Sequence, residues 1–298
     1  MPLLLLLIIA FFFPLPAHAQ TLPKNTITVV PSIVNLDLHK ASPDVTLYYT
    51  NTTKSVVELA LSARDFSGLS DNGQLAILDP EKAKSYQYRL SSWIQFDTNT
   101  ITLNPGEKKT VHVTIEKEQL PVGGHYGAIF AQVVLKAVRK PLKLQPIIAS
   151  LVFVRSTSEF NREEAKVVTA NPDTTFPYFP QNFLIRLHNT GNIQLVPYGL
   201  IQITDISGKL VAKGILNEGS LFLLPESLRT FTVPIRPVQS FLWPGMYHLT
   251  FQMHYGTSKK VVTTTQTFFS QGSLDLVKIG GVILILLIGF GIYRKIKN

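Results

Sequence analysis

A histidine, a tyrosine and three glycines stand together in PVGGHYGAIFAQV, residues 121–133. Glycines before an apolar run can cradle a phosphate, but a phosphate loop needs Gly-x-x-x-x-Gly-Lys-Ser/Thr between a strand and a helix. No lysine follows here, and Ala-Ile-Phe-Ala-Gln-Val-Val reads as a strand. A dinucleotide fingerprint fails for the same reason. His125 needs partners to act as a base or a metal ligand. The other histidines are His18, His39, His112, His188, His248 and His254. His248 and His254 share a strand face but lie about 20 Å apart at ~3.3 Å per residue, too far for one ion. No helical His-x-x-x-His pair exists. Asp65, Asp71 and Asp79 lack EF-hand spacing, and Asp71-Asn72-Gly73 suits a hairpin turn. There is no Gly-x-Ser-x-Gly elbow. The chain has no cysteine, which excludes disulfides, thiol nucleophiles and zinc–thiolate sites. These residues point to no catalytic site, no cofactor and no metal.

A structural reading of the same residues is simpler. Pro-Val-Gly-Gly turns the chain into a strand, and Gly127 lets a neighbour come close. Tyr126 has a counterpart in Tyr247, in a position that resembles the tyrosine corner of sandwich domains, where the hydroxyl bonds a nearby backbone group.

The elements that must position these residues are strands. Thr26–Asn35, Val45–Asn51 and Val56–Arg64 alternate apolar with polar. In KKTVHVTIE (108–116), Val111, Val113 and Ile115 face one way and Thr110, His112 and Thr114 the other. His125–Lys136 and Leu144–Arg155 follow, and one short helix is expected around Glu81–Leu90. An internal repeat aligns LNPGEKKTVHVTI (103–115) with LLPESLRTFTVPI (223–235) at a shift of 120, and GHY (124–126) with GMY (245–247). YTNTT (49–53) is echoed by LHNTG (187–191). The repeat singles out Asn51, Pro105, Gly106, Gly123, Gly124 and Tyr126 in one half, and Asn189, Pro225, Gly245 and Tyr247 in the other, as turn and strand-start residues. The fold expected is all-β: two tandem immunoglobulin-like β-sandwiches, residues 24–157 and 163–270, joined by the polar STSEFNREE.

The ends add a location. Residues 2–16 are apolar and lead to Ala17-His18-Ala19, a signal-peptide pattern over residues 1–19. Residues 276–293 are apolar apart from Lys278, about the length a membrane helix requires. Arg294, Lys295 and Lys297 form a basic tail, 294–298, that belongs on the cytoplasmic side. The expectation is a single-pass type I membrane protein held in the lipid bilayer by a C-terminal transmembrane helix. Residues 274–298 carry four cations and one acid, so about +6 of the total +9 lies outside them. No interleaved arginines and aromatics mark a nucleic-acid surface. Lys136, Arg139, Lys140 and Lys143 surround Pro141 in a basic hairpin tip that can meet an anionic wall polymer or remain an ordinary solvated loop.

PSIVNLDL (31–38), LYYTNTTKSVVELALSARDF (47–66), SSWIQF (91–96), LNPGEKKTVHVTI and GGHYGAIFAQV together resemble the N-terminal domain of the WxL-interacting proteins over roughly residues 27–155. The resemblance implies a non-enzymatic bacterial cell-surface protein whose first domain binds peptidoglycan. Residues 163–270 match that family's second domain in architecture alone, so a host- or partner-protein role is not carried over. Trp93 is a candidate ligand contact, against the commoner role of a core tryptophan. Two functions compete: wall-polymer binding through the first sandwich, and a protein–protein scaffold or adhesion module for secreted surface partners without wall binding.

Overall fold

The computed structural model of the chain describes residues 26–68, 70–134, 147–170, 173–257, 261–273 and Leu286. The signal-peptide segment, the basic group at Lys136, Arg139, Lys140 and Lys143, and residues 276–293 apart from Leu286 lie outside them, as does the tail.

The architecture is all-β. In the first sandwich, β1 (Ile27–Val30), β3 (Asp44–Asn51), β8 (Lys108–Ile115) and β6 (Ile94–Phe96) form a four-stranded sheet in the order β1-β3-β8-β6. The facing sheet runs β2 (Ile33–Asp37), β10 (Ile147–Arg155), β9 (Gly124–Val133), β4 (Val57–Gly68) and β5 (Leu75–Ile77), with β7 (Thr100–Leu103) also on β4. The run expected over Thr26–Asn35 is two strands. β1 pairs antiparallel with β3, the chain turns at Pro31, and β2 pairs parallel with β10 in the other sheet. Alternation explains the core between the sheets: Leu47, Tyr49, Leu59, Leu103, Val111, Ile129 and Val152 are fully buried.

The second unit is one eight-stranded sheet that folds over its own core. Its order is β11 (Ala165–Ala170), β13 (Asn182–Asn189), β16 (Leu228–Pro237), β15 (Leu210–Leu216), β14 (Tyr198–Asp205), β17 (Gly245–His254), β18 (Val261–Ser270) and β12 (Thr175–Phe176). β16 makes the corner: residues 228–234 pair with β13 and 235–237 with β15. Phe183, Ile201, Leu249, Phe251 and Phe268 fill the interior.

Two expectations are corrected. The helix is α1 (Pro80–Ser85), shorter than Glu81–Leu90. Tyr86 is already extended, because the next residues are drawn onto β9, where the Tyr126 N–H donates to the Tyr88 carbonyl at 2.8 Å. Among the described residues no helix is long and apolar enough to cross a membrane; the helix expected at 276–293 lies outside them, and the single-pass reading is not carried further.

Candidate functional site

The GGHY segment lies in the joint between the two units. Gly123 has φ +121°, and a Cβ there would come within 2.8 Å of the Asn192 carbonyl oxygen, so this start of β9 requires glycine. The Gly124 N–H donates to that carbonyl at 2.7 Å. His125 is fully buried; its ring nitrogens lie 2.8 Å from the Arg89 carbonyl oxygen and 3.0 Å from that of Pro121. Burial pushes its pKa below the usual imidazole value, although both carbonyls pull the other way. The Tyr126 hydroxyl donates to Gln194 Oε1 of the second unit at 3.2 Å, and burial raises its pKa well above the phenol's usual value. Its counterpart Tyr247 donates to the Trp243 carbonyl, four residues upstream. The two tyrosines are matched in sequence, but one bonds within its unit and the other across the joint.

The repeat asparagines have one role twice. Asn51 Nδ2 donates to the carbonyls of Ser55 (2.8 Å) and Leu103 (3.0 Å), and Asn189 Nδ2 to those of Ile193 (2.8 Å) and Leu223 (3.0 Å). Each side-chain oxygen accepts the N–H two residues on. In the turns that follow, the N–H groups of Gly106 and Glu226 donate to the carbonyls of Asn51 (2.8 Å) and Asn189 (2.9 Å). Pro105 and Pro225 precede those residues in their turns. Gly245 opens β17, where a Cβ would meet nothing.

Around this joint the units share a small aromatic core: Phe66, Tyr88, Tyr126 and Phe153 from the first, with Leu224 and Phe222 from the second. Beside it opens an apolar cleft of about 200 Å³, lined by Ile33, Leu75, Leu151, Phe153, Leu221 and Phe222. Arg229 also lines it; its Nη1 donates to the Phe222 carbonyl at 2.6 Å and its guanidinium lies 5.4 Å over the Phe231 ring. The hairpin joining β4 to β5 reaches across the cleft. The Thr230 N–H donates to the Asp71 carbonyl at 2.6 Å, and the Asp71 carboxylate pairs with Arg186. Gly73, at φ +80°, leaves room for the Arg229 guanidinium, which a Cβ would strike.

The cleft meets a sheet edge. The ladder between β10 and β2 covers only Leu151–Arg155. The Leu151 N–H points to that side, donating to the Ser32 carbonyl. By strand alternation the main-chain groups of Ile147 and Ala149 face the same way, beyond the end of β2. Ile147 is 55% exposed, Ile33 51% and Leu221 47%.

Trp93 does not fit the role of a ligand contact. It is buried, edge-on to His125 at 5.5 Å, with the Arg89 guanidinium 5.1 Å from its ring centre. No local sequence pattern singles out Ile33, Leu221, Phe222 or Arg229, because the cleft exists only where the two units meet. One signal was present: the aligned repeat sets Glu226 against Gly106, a charged residue where a turn favours glycine. Among the described residues, no group of three His, Cys, Asp or Glu is placed to hold a metal ion.

No family model matches the chain, and no curated protein matches it. It is similar to the class 5 fimbriae chaperone CfaA at 12% identity, covering 82% of this chain and 99% of that one with a TM-score of 0.45. It is similar to the E. coli chaperone DraB at 13% identity (82% and 97% covered, TM-score 0.40). It is also similar to a chain of the Salmonella enterica SafA pilin–SafB chaperone complex at 10% identity (83% and 99% covered, TM-score 0.39). Likeness at this level does not transfer a partner or an activity. The resemblance to WxL-interacting proteins is corrected: no family model matches the chain, and the similar structures are chaperones. The residues that carried it serve as a strand crossover (31–38), a turn (103–107) and the joint (123–126), which are packing features. The peptidoglycan-binding, membrane-anchored reading is withdrawn with it.

Proposed function

We propose that the chain is a non-enzymatic protein-binding module: two tandem immunoglobulin-like sandwiches, residues 24–157 and 163–270, whose shared cleft takes an extended segment of a secreted surface protein. The observation that carries this reading is the end of β10 beside the apolar cleft, where among the described residues no strand is paired with Ile147 or Ala149 on the β2 side. An edge strand leaves N–H and C=O groups that an added strand can pair. The alternate side chains of such a segment point to one face, so apolar residues at every second position would enter the cleft beside Leu221 and Phe222. Main-chain pairing supplies affinity and the cleft supplies selection. The pilin that accompanies one of the similar structures is a candidate segment to be tried.

The test is selection of peptides from an unbiased displayed library on the full chain. Enriched sequences should alternate apolar residues with a period of two. Ile33→Asp with Leu221→Asp should abolish their capture without moving the thermal transition, since both side chains are about half exposed. No enrichment, or capture indifferent to these substitutions, would sink the reading.

A further inference from the structure

Three described residues other than glycine have left-handed backbone: Asn217 (φ 59°), Ser220 (φ 52°) and Glu226 (φ 58°). All three lie in the stretch between β15 and β16 that forms the second unit's wall of the cleft. Left-handed backbone is unfavourable for residues with a Cβ and persists where the surroundings over-determine it.

Glu226 is the most informative, because the repeat supplies its control. Gly106, its equivalent in the first unit, has φ 78° and the same hydrogen bond back to the strand asparagine. Backbone geometry alone is served by glycine there. What Glu226 adds is a carboxylate that leaves its own unit. Its Oε1 accepts from Gln87 Nε2 at 2.9 Å and from the Tyr88 hydroxyl at 3.0 Å. Burial and this bond together raise the Tyr88 pKa above the usual phenol range.

The loop around it has an attachment at each end. Leu223 pairs with Leu195 in both directions within the second unit (3.0 and 2.7 Å), and Asn217 Nδ2 holds the carbonyls of Pro197 and Leu221. On the other side Phe222 stacks on Phe153, and Leu224 is buried in the shared aromatic core.

We propose that Glu226 is the positioning residue of the joint: its carboxylate on Gln87 and Tyr88 fixes the second unit's loop against the first unit and so sets the width of the cleft. The inference concerns the joint and holds whatever the cleft binds.

The chain has no cysteine, so Lys54→Cys and Lys209→Cys, one exposed position on each unit, give a single pair of spin-label sites. Distance distributions are measured on the full chain carrying this pair, alone and with Glu226→Gly, Glu226→Gln or Tyr88→Phe. Glu226→Gly removes the carboxylate and the left-handed demand together. It should broaden the distribution while leaving the thermal transition unchanged or raised, a combination that loss of an ordinary structural contact does not produce. Glu226→Gln keeps an acceptor oxygen and should keep the distribution narrow. Tyr88→Phe should fall between the two. A Glu226→Gly distribution as narrow as that of the parent pair would overturn the proposal, and so would broadening in Glu226→Gln equal to that in Glu226→Gly. Neither result depends on a partner, so both are separable from failure of the strand-binding reading.

Discussion

The ring of Phe222, on the second unit's loop, is stacked on that of Phe153 in β10, with centroids 4.2 Å apart and planes 19° from parallel. The two residues line the cleft and also belong to the core that joins the units. The wall of the cleft and the joint are therefore one piece of packing, and a change in either should be felt in both.

Phe153→Ala should show this most strongly. Its side chain is 3% exposed and touches aromatic rings of both units, so truncation should cost about 3–5 kcal/mol. Phe222 is only partly buried, and Phe222→Ala should cost about 2 kcal/mol. Denaturant unfolding of the two variants checks the order. Equal and small losses would mean that the joint contributes little.

The strand asparagines offer a matched pair. Asn51→Ala and Asn189→Ala each remove at least two hydrogen bonds to carbonyls and one from an N–H. Each should cost roughly 2–4 kcal/mol. Asn189→Ala should also loosen the cleft loop, through the carbonyl of Leu223. Amide exchange across 217–227 should quicken in Asn189→Ala and stay unchanged in Asn51→Ala.

The tyrosines should separate in a similar way. Tyr126→Phe and Tyr247→Phe each remove one hydrogen bond, worth ~1 kcal/mol. The bond lost with Tyr126 crosses to Gln194, whereas the one lost with Tyr247 stays inside the second unit. Spin-label distances between the units should respond to the first substitution and not to the second.

The strands and the repeat were legible in the sequence because alternation follows directly from one face being buried, as in Val111, Val113 and Ile115. The joint was not. Tyr88 and Glu226 lie 138 residues apart, and nothing in the local pattern of either announces the other. The same holds for the hairpin tip: Asp71-Asn72-Gly73 reads as a turn, and the turn is there, but its reach to Thr230 and Arg186 depends on how the units meet. GGHY looked chemical because glycine, histidine and tyrosine are also the residues of active sites. Here glycine admits a neighbouring backbone, and histidine and tyrosine supply buried hydrogen bonds.

His125 gives a pH dependence with a definite sign. Its folded-state pKa lies below the unfolded value of 6.5, chiefly through burial. The neutral ring therefore contributes fully above about pH 6.5, and that stability is lost as the pH falls through the lower folded value. Compared with His125→Asn, the parent chain should lose more stability between about pH 7 and pH 5. Parallel curves for the two would contradict the assignment.

Whether the open end of β10 pairs with a partner strand is tested most directly by amide hydrogen exchange at Ile147 and Ala149. The full chain is measured with and without a peptide selected from the library. Main-chain pairing should slow both amides strongly on binding and leave Ile148 and Ser150, which face β9, little changed. Tight binding that leaves Ile147 and Ala149 exchanging at their free rate would contradict strand addition at this edge.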